Sequence, residues 1–453
     1  MSYDAFIEGK KQMGGEFGFA PTFMPEFLFP FQQSLVEWSL RKGRAAVFAD
    51  CGLGKTPMQL VWAQNVVEKT NKPVLVLTPL SVGSQTVREG EKFGIACAQS
   101  RDGSVSGKIT VTNYQQLHKF DWKKFGGVVC DESSILKNFD GAIKAQITDF
   151  MRKLPYRLLC TATAAPNDYI ELGTSSEALG HLGFTDMVSR FFKKSEQTMS
   201  RSEEFRAGLY RFRDHAERDF WRWICSWARA VRKPSDIGFS DEGYKLPELR
   251  TVEHIIKART GNPDFLFDMP AVGLSEQRAE RRRTIQDRCE MAAQLINGTG
   301  KPAVAWCHLN DEGNLLEKLI TGSVQVDGSD SDEAKEEAFD AFSQGQIRVL
   351  VTKSAIAAYG MNWQHCNHST FFPSHSFEQW YQSIRRFWRF GQKKPVHIDI
   401  ISSEGERGVL ANMQRKSEQA DKMFAKLVDL IGNELRIEKI NNRKTKEIIP
   451  SWL

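Results

Sequence analysis

Residues 45–56 read Ala-Ala-Val-Phe-Ala-Asp-Cys-Gly-Leu-Gly-Lys-Thr, an apolar strand running into a glycine turn and then into Lys55-Thr56 at the head of a helix. Phosphate binding demands this order. Glycines let backbone amides approach a phosphate closely, and a helix N-terminus favours its negative charge. In such a loop the backbone of Gly52, Leu53 and Gly54 cradles the phosphates, Lys55 reaches the β and γ groups, and the Thr56 hydroxyl holds magnesium. Pro57 falls in the first helical turn, where a missing amide hydrogen costs little. A glycine-rich strand-to-helix turn without any ligand has the same outline, and Ala49 stands where the general pattern has glycine. The loop alone therefore sets the local fold, and its chemistry needs partners.

Outward from this loop, short apolar runs alternate with helical patterns. Strands are expected at Ala45–Ala49, Val74–Thr78, Ile109–Thr112, Val128–Cys130 and Arg157–Cys160. Several show no polar alternation, as strands buried on both faces of a parallel sheet should. From about Glu171 to Leu246 the pattern turns helical, with Phe220, Trp223, Ile224, Trp227 and Val231 on one face. These aromatics could stack on bases, but the core of a helical insertion explains them more simply. A second alternating set follows at Ala303–Cys307, Val324–Val326, Arg348–Val351, Thr370–Phe372 and Val396–Ile401. The last stretch is polar and helical, with basic residues Arg436, Lys439, Arg443, Lys444 and Lys446.

Two further stretches carry chemistry. Residues 126–138 read Gly-Gly-Val-Val-Cys-Asp-Glu-Ser-Ser-Ile-Leu-Lys-Asn, so a buried strand delivers Asp131 and Glu132 at its carboxyl end, where open α/β sheets bind ligands. Asp131 can hold magnesium, and Glu132 can orient and deprotonate water. A solvated Asp-Glu turn is the bland alternative, which a preceding phosphate loop makes less natural. Residues 382–392 read Gln-Ser-Ile-Arg-Arg-Phe-Trp-Arg-Phe-Gly-Gln; Arg386 and Arg389 share a face if the stretch is helical and could spread over developing phosphate charge. His365, Cys366, His368 and His375 lack the paired spacing of zinc sites.

A chain of 453 residues has room for two or three domains, and 41% hydrophobic residues exclude wholesale disorder. Net charge is only +5, so any nucleic-acid face has to be local. The eight cysteines form no C-x-x-C pair, which fits free thiols in a reducing compartment. The start carries acid where a signal peptide carries base, and no apolar run approaches bilayer length. A soluble intracellular protein with no membrane partner is expected.

Taken in order, these motifs resemble helicase superfamily two, and Ala49–Thr56 follows that superfamily's own A-x-x-G-x-G-K-T form. The finer likeness is to its Swi/Snf-like branch, the double-stranded DNA translocases that include chromatin remodellers. Phe31-Gln32, with Trp38 beyond, looks like the branch's adenine-reading Q motif and implies Gln32 at the nucleotide. Leu77–Phe93 resembles motif Ia and Val111–Leu117 the next DNA-contacting segment, which implies Thr78, Pro79, Thr112 and Asn113 against nucleic acid. Asp131–Asn138 resembles motif II, with Ser133 and Ser134 for its Ala and His, and Arg157–Leu172 resembles motif III. Asp327-Gly328-Ser329, Val349–Asn362 and Gln382–Gln392 resemble motifs IVa, V and VI. They imply Lys353 and Ser354 at nucleic acid, and Gly360 and Gln382 at the nucleotide. The Gly391-Gln392 ending is specific to the branch, and the compact Asp-Glu-Ser-Ser form also resembles helicase-like proteins encoded by bacteriophages. Two departures bear on coupling rather than ATP binding: Ser134 replaces the motif II histidine, and Ala357, Ala358 and Tyr359 stand where motif V has glycines or small apolar residues.

The resemblance implies an α/β fold of two RecA-like parallel-sheet lobes, with a helical protrusion in the first and a helical C-terminal tail. The expected division is an irregular arm over 1–30, a first lobe over 31–250 with the protrusion at about 171–246, a second lobe over 251–402, and a helical bracing segment with a basic tail over 403–453. ATP and Mg2+ are the implied cofactors, with Lys55, Asp131, Glu132, Arg386 and Arg389 as the catalytic set and Thr56 and Asp131 at the metal. Duplex DNA is the favoured partner. A monomer is expected, with any protein partner met through the protrusion or the tail. Its place is the cytoplasm of a bacterium, or of the host cell if phage-encoded, at the nucleoid. A strand-separating helicase shares these motifs, and so does a clamp or assembly factor that binds DNA under nucleotide control with slow turnover.

Overall fold

The computed structural model describes residues 15–137, 141–166, 168–194, 210–257, 274–357 and 361–446. It divides into two compact units, Met1–Glu242 with Gln419–Leu453, and Gly243–Glu418. Each is built on its own parallel sheet, as in two RecA-like lobes.

The first unit contains β1 (Arg44–Ala49), β2 (Val74–Thr78), β3 (Ala98–Gln99), β4 (Ile109–Asn113), β5 (Gly127–Cys130) and β6 (Tyr156–Cys160). Every residue of β2, β4 and β5 is buried, which is why these runs carry no polar alternation. The helix Lys55–Thr70 packs over β2, β5 and β6. After a two-stranded ribbon of β7 (Phe192–Lys194) and β8 (Tyr210–Phe212), the chain returns to the sheet as β9 (Ala228–Val231). The sheet order is β3-β4-β2-β5-β6-β1-β9, with all its pairs parallel. Because every strand points the same way, the loops after β1, β2, β4, β5 and β6 leave from one edge. That edge is where the motifs fall.

The segment expected to be helical thus also contributes strands. Helices Leu172–Leu179, Phe184–Phe191 and Ala216–Trp227 are present, but Ala228 turns extended (φ −127°, ψ 150°) and ends the last of them. Val231 fits the helical period of the preceding residues yet lies in β9, whose apolar run is stabilised by pairing with β1. Phe220, Trp223, Ile224 and Trp227 are all buried, and Trp227 meets Phe48 of β1 edge-on at 6.3 Å. They are core, not stacking platforms.

The described part of the N-terminal arm is irregular but anchored. The amides of Phe17, Gly18 and Phe19 donate to the carbonyls of Lys42, Arg41 and Leu40, satisfying acceptors that the end of helix Pro30–Lys42 leaves open. A Cβ on Gly18 would lie 1.7 Å from the Leu40 oxygen, so only glycine fits there.

The second unit contains β10 (Leu249–Ile256), β11 (Ala303–Cys307), β12 (Ser323–Val326), β13 (Val349–Lys353), β14 (His368–Phe371) and β15 (Val396–Ser403), in the order β10-β15-β14-β11-β13-β12. β10 is unforeseen by the apolar pattern: it is a largely exposed edge strand that pairs with β15 along its whole length. The helix Arg407–Lys446 follows β15. Within the first unit its residues Met423, Phe424 and Leu427 are buried, and Asp421 pairs with Arg232 at 2.7 Å. Among the described residues no helix is long and apolar enough to cross a membrane.

Candidate nucleotide site

β1 ends at Ala49, and the backbone turns sharply through Gly52 (φ 87°) and Gly54 (φ 73°) before Lys55 opens its helix. Both glycines lie in the left-handed region that other residues avoid. The Gln32 carboxamide braces this turn: Oε1 accepts the Phe29 amide at 2.9 Å, and Nε2 donates to the Leu53 carbonyl at 2.9 Å. A Cβ on Gly54 would come within 2.3 Å of that Nε2. From the other side the Asp50 amide donates to the Val231 carbonyl at 2.9 Å, so β9 also holds the loop. Lys55 Nζ donates to the Ala49 carbonyl at 3.1 Å. Burial works against its ammonium, but Cys51, Glu132, Asp131 and Asp50 outweigh it and hold the pKa above its ordinary value.

Asp131 and Glu132 leave the end of β5, two strands from β1 in the sheet. Asp131 is buried and accepts Gln59 Nε2 at 2.6 Å. Gln59 lies one turn beyond Lys55 on the same helix, so one helix face brings both groups to the carboxylate. Burial raises the Asp131 carboxyl against the pull of Lys55 and Gln59. A carboxylate oxygen and the half-buried Thr56 hydroxyl are the hard ligands that magnesium takes, so this donor set fits the ion.

Glu132 is left-handed, with φ 45°. For a residue with a Cβ that conformation costs on the order of 1–2 kcal/mol. Its carboxylate accepts Thr161 Oγ1 at 3.2 Å, and Thr161 Oγ1 in turn accepts the Thr163 amide at 3.1 Å. Thr161 directly follows β6, which lies between β5 and β1. Phosphate loop, paired carboxylates and a hydroxyl turn are therefore brought to one edge. Such an arrangement can bind a nucleoside triphosphate with its metal and poise a carboxylate to take a proton from water. Neither Gln59 nor Thr161 stands out as a site residue in the sequence, although Thr161 lies within the stretch that resembles motif III. The fourth position after Lys55 on its helix is the signal that could have found Gln59.

In the second unit Arg386 and Arg389 do not lie on a helix. The helix Phe377–Ile384 ends just before them, and both sit in the turn that follows. They still converge, since each donates to the Met361 carbonyl, at 3.3 and 3.4 Å. Arg386 is buried, with its Nε on the Gln382 carbonyl and its Nη2 on Gln382 Oε1, each at 3.0 Å. Arg389 is half-buried. Gln382, buried completely, thus serves Arg386 here. Gly360 lies outside the described residues, as do Ala358 and Tyr359.

The expected nucleic-acid residues fall at strand ends. Thr78 and Thr112 are buried, the Thr78 hydroxyl donating to the Thr112 carbonyl at 3.4 Å. Pro79 is half-buried, and Asn113 caps a short 3-10 turn by accepting the Gln116 amide at 3.1 Å. In the second unit Lys353 bonds to Asn310, and buried Ser354 accepts the Ser383 hydroxyl at 2.9 Å. The histidine and cysteine set turns to separate neighbours. His365 packs on the Phe342 ring, Cys366 donates to the Pro302 carbonyl at 3.4 Å, His368 bonds Asp399 and His375 contacts Asn412.

No protein family's sequence profile matches the chain. Over 115 residues it is 34% identical to the bifunctional helicase and thymine dioxygenase JBP2 of Leishmania tarentolae, a stretch covering 23% of this chain and 10% of that protein. Over 205 residues it is 28% identical to the putative protein p41 of Acyrthosiphon pisum secondary endosymbiont phage 1, covering 38% of this chain and 44% of that one. The chain therefore matches about a tenth of the first relative's length and under half of the second's. Among solved structures, S. cerevisiae Dbp5 bound to RNA and ADP BeF3 aligns over 88% of this chain and 98% of that one, with a TM-score of 0.54 at 12% identity. The Sulfolobus solfataricus SWI2/SNF2 ATPase core in complex with dsDNA aligns over 90% and 96%, with a TM-score of 0.41 at 18% identity. The Dbp5 likeness is one of fold: this chain has α/β architecture with two parallel sheets that match two RecA-like lobes.

Proposed function

We propose that the chain is an ATP-hydrolysing nucleic-acid motor of helicase superfamily two, working as a Swi/Snf-like translocase on duplex DNA. One observation carries the reading: the phosphate loop with Lys55, the paired carboxylates Asp131 and Glu132, and Thr161 share one edge of the first parallel sheet. In this reading the backbone of residues 52–54 and Lys55 bind the phosphates, while Thr56 and Asp131 hold magnesium. The metal neutralises phosphate charge when bound. Glu132 takes the proton from the attacking water, and Arg386 and Arg389 supply positive charge to the transferring group.

The finer assignment to duplex DNA is supported by the Gly391-Gln392 ending and by the likeness of Leu77–Phe93 to motif Ia. The partial match to a phage protein supports a phage-type origin. The two units serve as the two lobes, with the boundary at 242/243 rather than at 250/251, and with Thr78, Pro79, Thr112, Asn113, Lys353 and Ser354 toward the polymer. The test is ATP turnover with duplex DNA, single-stranded DNA, duplex RNA and no polymer. Duplex DNA should stimulate most. Stronger stimulation by single strands, with efficient fork unwinding, would make the chain a strand-separating helicase, and binding without stimulation would make it a clamp.

A further inference from the structure

Tyr114 occupies an unexpected position between two motifs. It opens the short turn Tyr114–Lys119 directly after β4, next to Asn113, yet its hydroxyl reaches the loop after β5. It donates to the Asp131 carbonyl and lies 3.4 Å from the Glu132 carbonyl. The Cys130 thiol is also within its hydrogen-bonding reach. β2 stands between β4 and β5 in the sheet, so this one side chain joins the two loops across an intervening strand.

A buried tyrosine hydroxyl needs some acceptor, and a carbonyl would satisfy it anywhere. Which carbonyl it takes is the informative point. The Asp131 oxygen belongs to the peptide plane that ends at the Glu132 nitrogen, and rotation between that plane and the Glu132 Cα is the Glu132 φ angle. Fixing this oxygen therefore helps to fix φ at 45°, a value glutamate adopts only when its surroundings impose it. Other contacts act on the same unit. The Asp131 amide donates to Leu77 at 2.9 Å, and the Ile135 amide and Ser134 hydroxyl reach the Glu132 carbonyl at 3.2 and 3.5 Å. Leu77 opens the stretch that resembles motif Ia and contributes a backbone carbonyl, whereas Tyr114 comes from Val111–Leu117 and reaches this unit through its side chain.

We propose that Tyr114 is a positioning residue for hydrolysis: it holds the Asp131–Glu132 peptide in place and links the Thr112–Asn113 segment to it. The proposal rests on the reading of Glu132 as the group that activates water. A shift of the polymer-side segment would move the tyrosine, and with it the carboxylate, giving nucleic acid a route to the rate of hydrolysis.

Tyr114→Phe removes the hydroxyl and keeps the ring, which is only 4% exposed. The measurements are nucleotide affinity, kcat with and without duplex DNA, and thermal melting. Nucleotide affinity should stay within about twofold. kcat should fall about tenfold, the effect of one hydrogen bond's worth of misplacement, and the ratio of DNA-stimulated to basal turnover should fall toward one. Turnover and stimulation within about twofold of wild type would overturn the proposal. So would a fall in kcat matched by lost nucleotide affinity, or melting below the assay temperature, since either makes Tyr114 a packing residue. Wild-type protein that fails to hydrolyse ATP overturns the parent reading and this one together, whereas active wild type with an indifferent Tyr114→Phe sinks this one alone.

Discussion

Lys55 sits among the acids Asp50, Asp131 and Glu132, and their combined pull keeps it charged despite burial. Replacing it with alanine removes the cation that these acids share and that the phosphates require. Lys55→Ala should abolish ATP turnover while the chain still melts cooperatively, since the half-buried side chain bonds the Ala49 carbonyl at 3.1 Å and fills little of the core. Glu132→Gln should act differently. The glutamine oxygen can still accept from Thr161, so the loop keeps its shape, but an amide cannot take a proton from water. That variant should retain bound ATP and lose turnover. Equal loss of nucleotide in both variants, measured by equilibrium binding, would deny Glu132 its separate role.

At the scale of elements, the turn after helix Phe377–Ile384 separates two arginines that look equivalent in sequence. Arg386 is buried and donates to Met361 and Gln382, while Arg389 is half-buried and donates to Met361. Arg386→Ala should therefore destabilise the protein by about 1–3 kcal/mol, because buried acceptors lose their donor. Arg389→Ala should cost less stability than Arg386→Ala and lower kcat on the order of 10³-fold or more through its role at the phosphoryl group. Melting curves and steady-state kinetics on both variants check the split; an Arg386→Ala protein that melts like wild type rejects it.

The edge strand β10 is held partly by a hydrogen bond to a buried carboxylate. His254 and His368 bond the two Asp399 oxygens at 2.7 and 2.9 Å, and His397 approaches to 3.9 Å. Burial opposes ionisation of Asp399, but the hydrogen bonds from His368 and His254 outweigh it and hold the carboxyl below its ordinary value. A depressed carboxyl pKa contributes stability above the ordinary carboxylate pKa of about 4, and that stability is lost as pH falls through the lower folded value. Asp399→Asn should melt lower at neutral pH and lose less on acidification. Parallel pH profiles of melting for variant and wild type would show that the cluster does not set acid stability.

At the scale of the whole molecule, charge bears on how the proposed partner is gripped. With 61 basic and 56 acidic residues, net charge provides little general attraction, so binding has to rest on local phosphate contacts. Each neutralised phosphate releases counterions, and a footprint of roughly 6–10 contacts loses about 10³–10⁵ in affinity between 50 and 200 mM salt. Duplex affinity should fall steeply in this way and vary little among mixed sequences, because phosphates carry no base identity. A shallow salt dependence in a binding titration would reject phosphate tracking.

The alternation of strand and helix, the phosphate loop and the paired carboxylates were legible in the order of residues, because each is a local signal. A glycine turn before Lys55, or an unbroken apolar run ending in Asp131, states its geometry within a few residues. β2 and β11 accordingly run as their apolar runs suggest, Val74–Thr78 and Ala303–Cys307. β9 and β10 were not legible, since pairing with β1 and β15 stabilises them and neither partner is near in sequence. The same holds for Gln59 on Asp131, Thr161 on Glu132 and the Tyr114 hydroxyl between two loops. Period and propensity describe a residue's immediate neighbours along the chain. Which loop faces which across the sheet depends on strand order, and strand order exists only once the chain has folded.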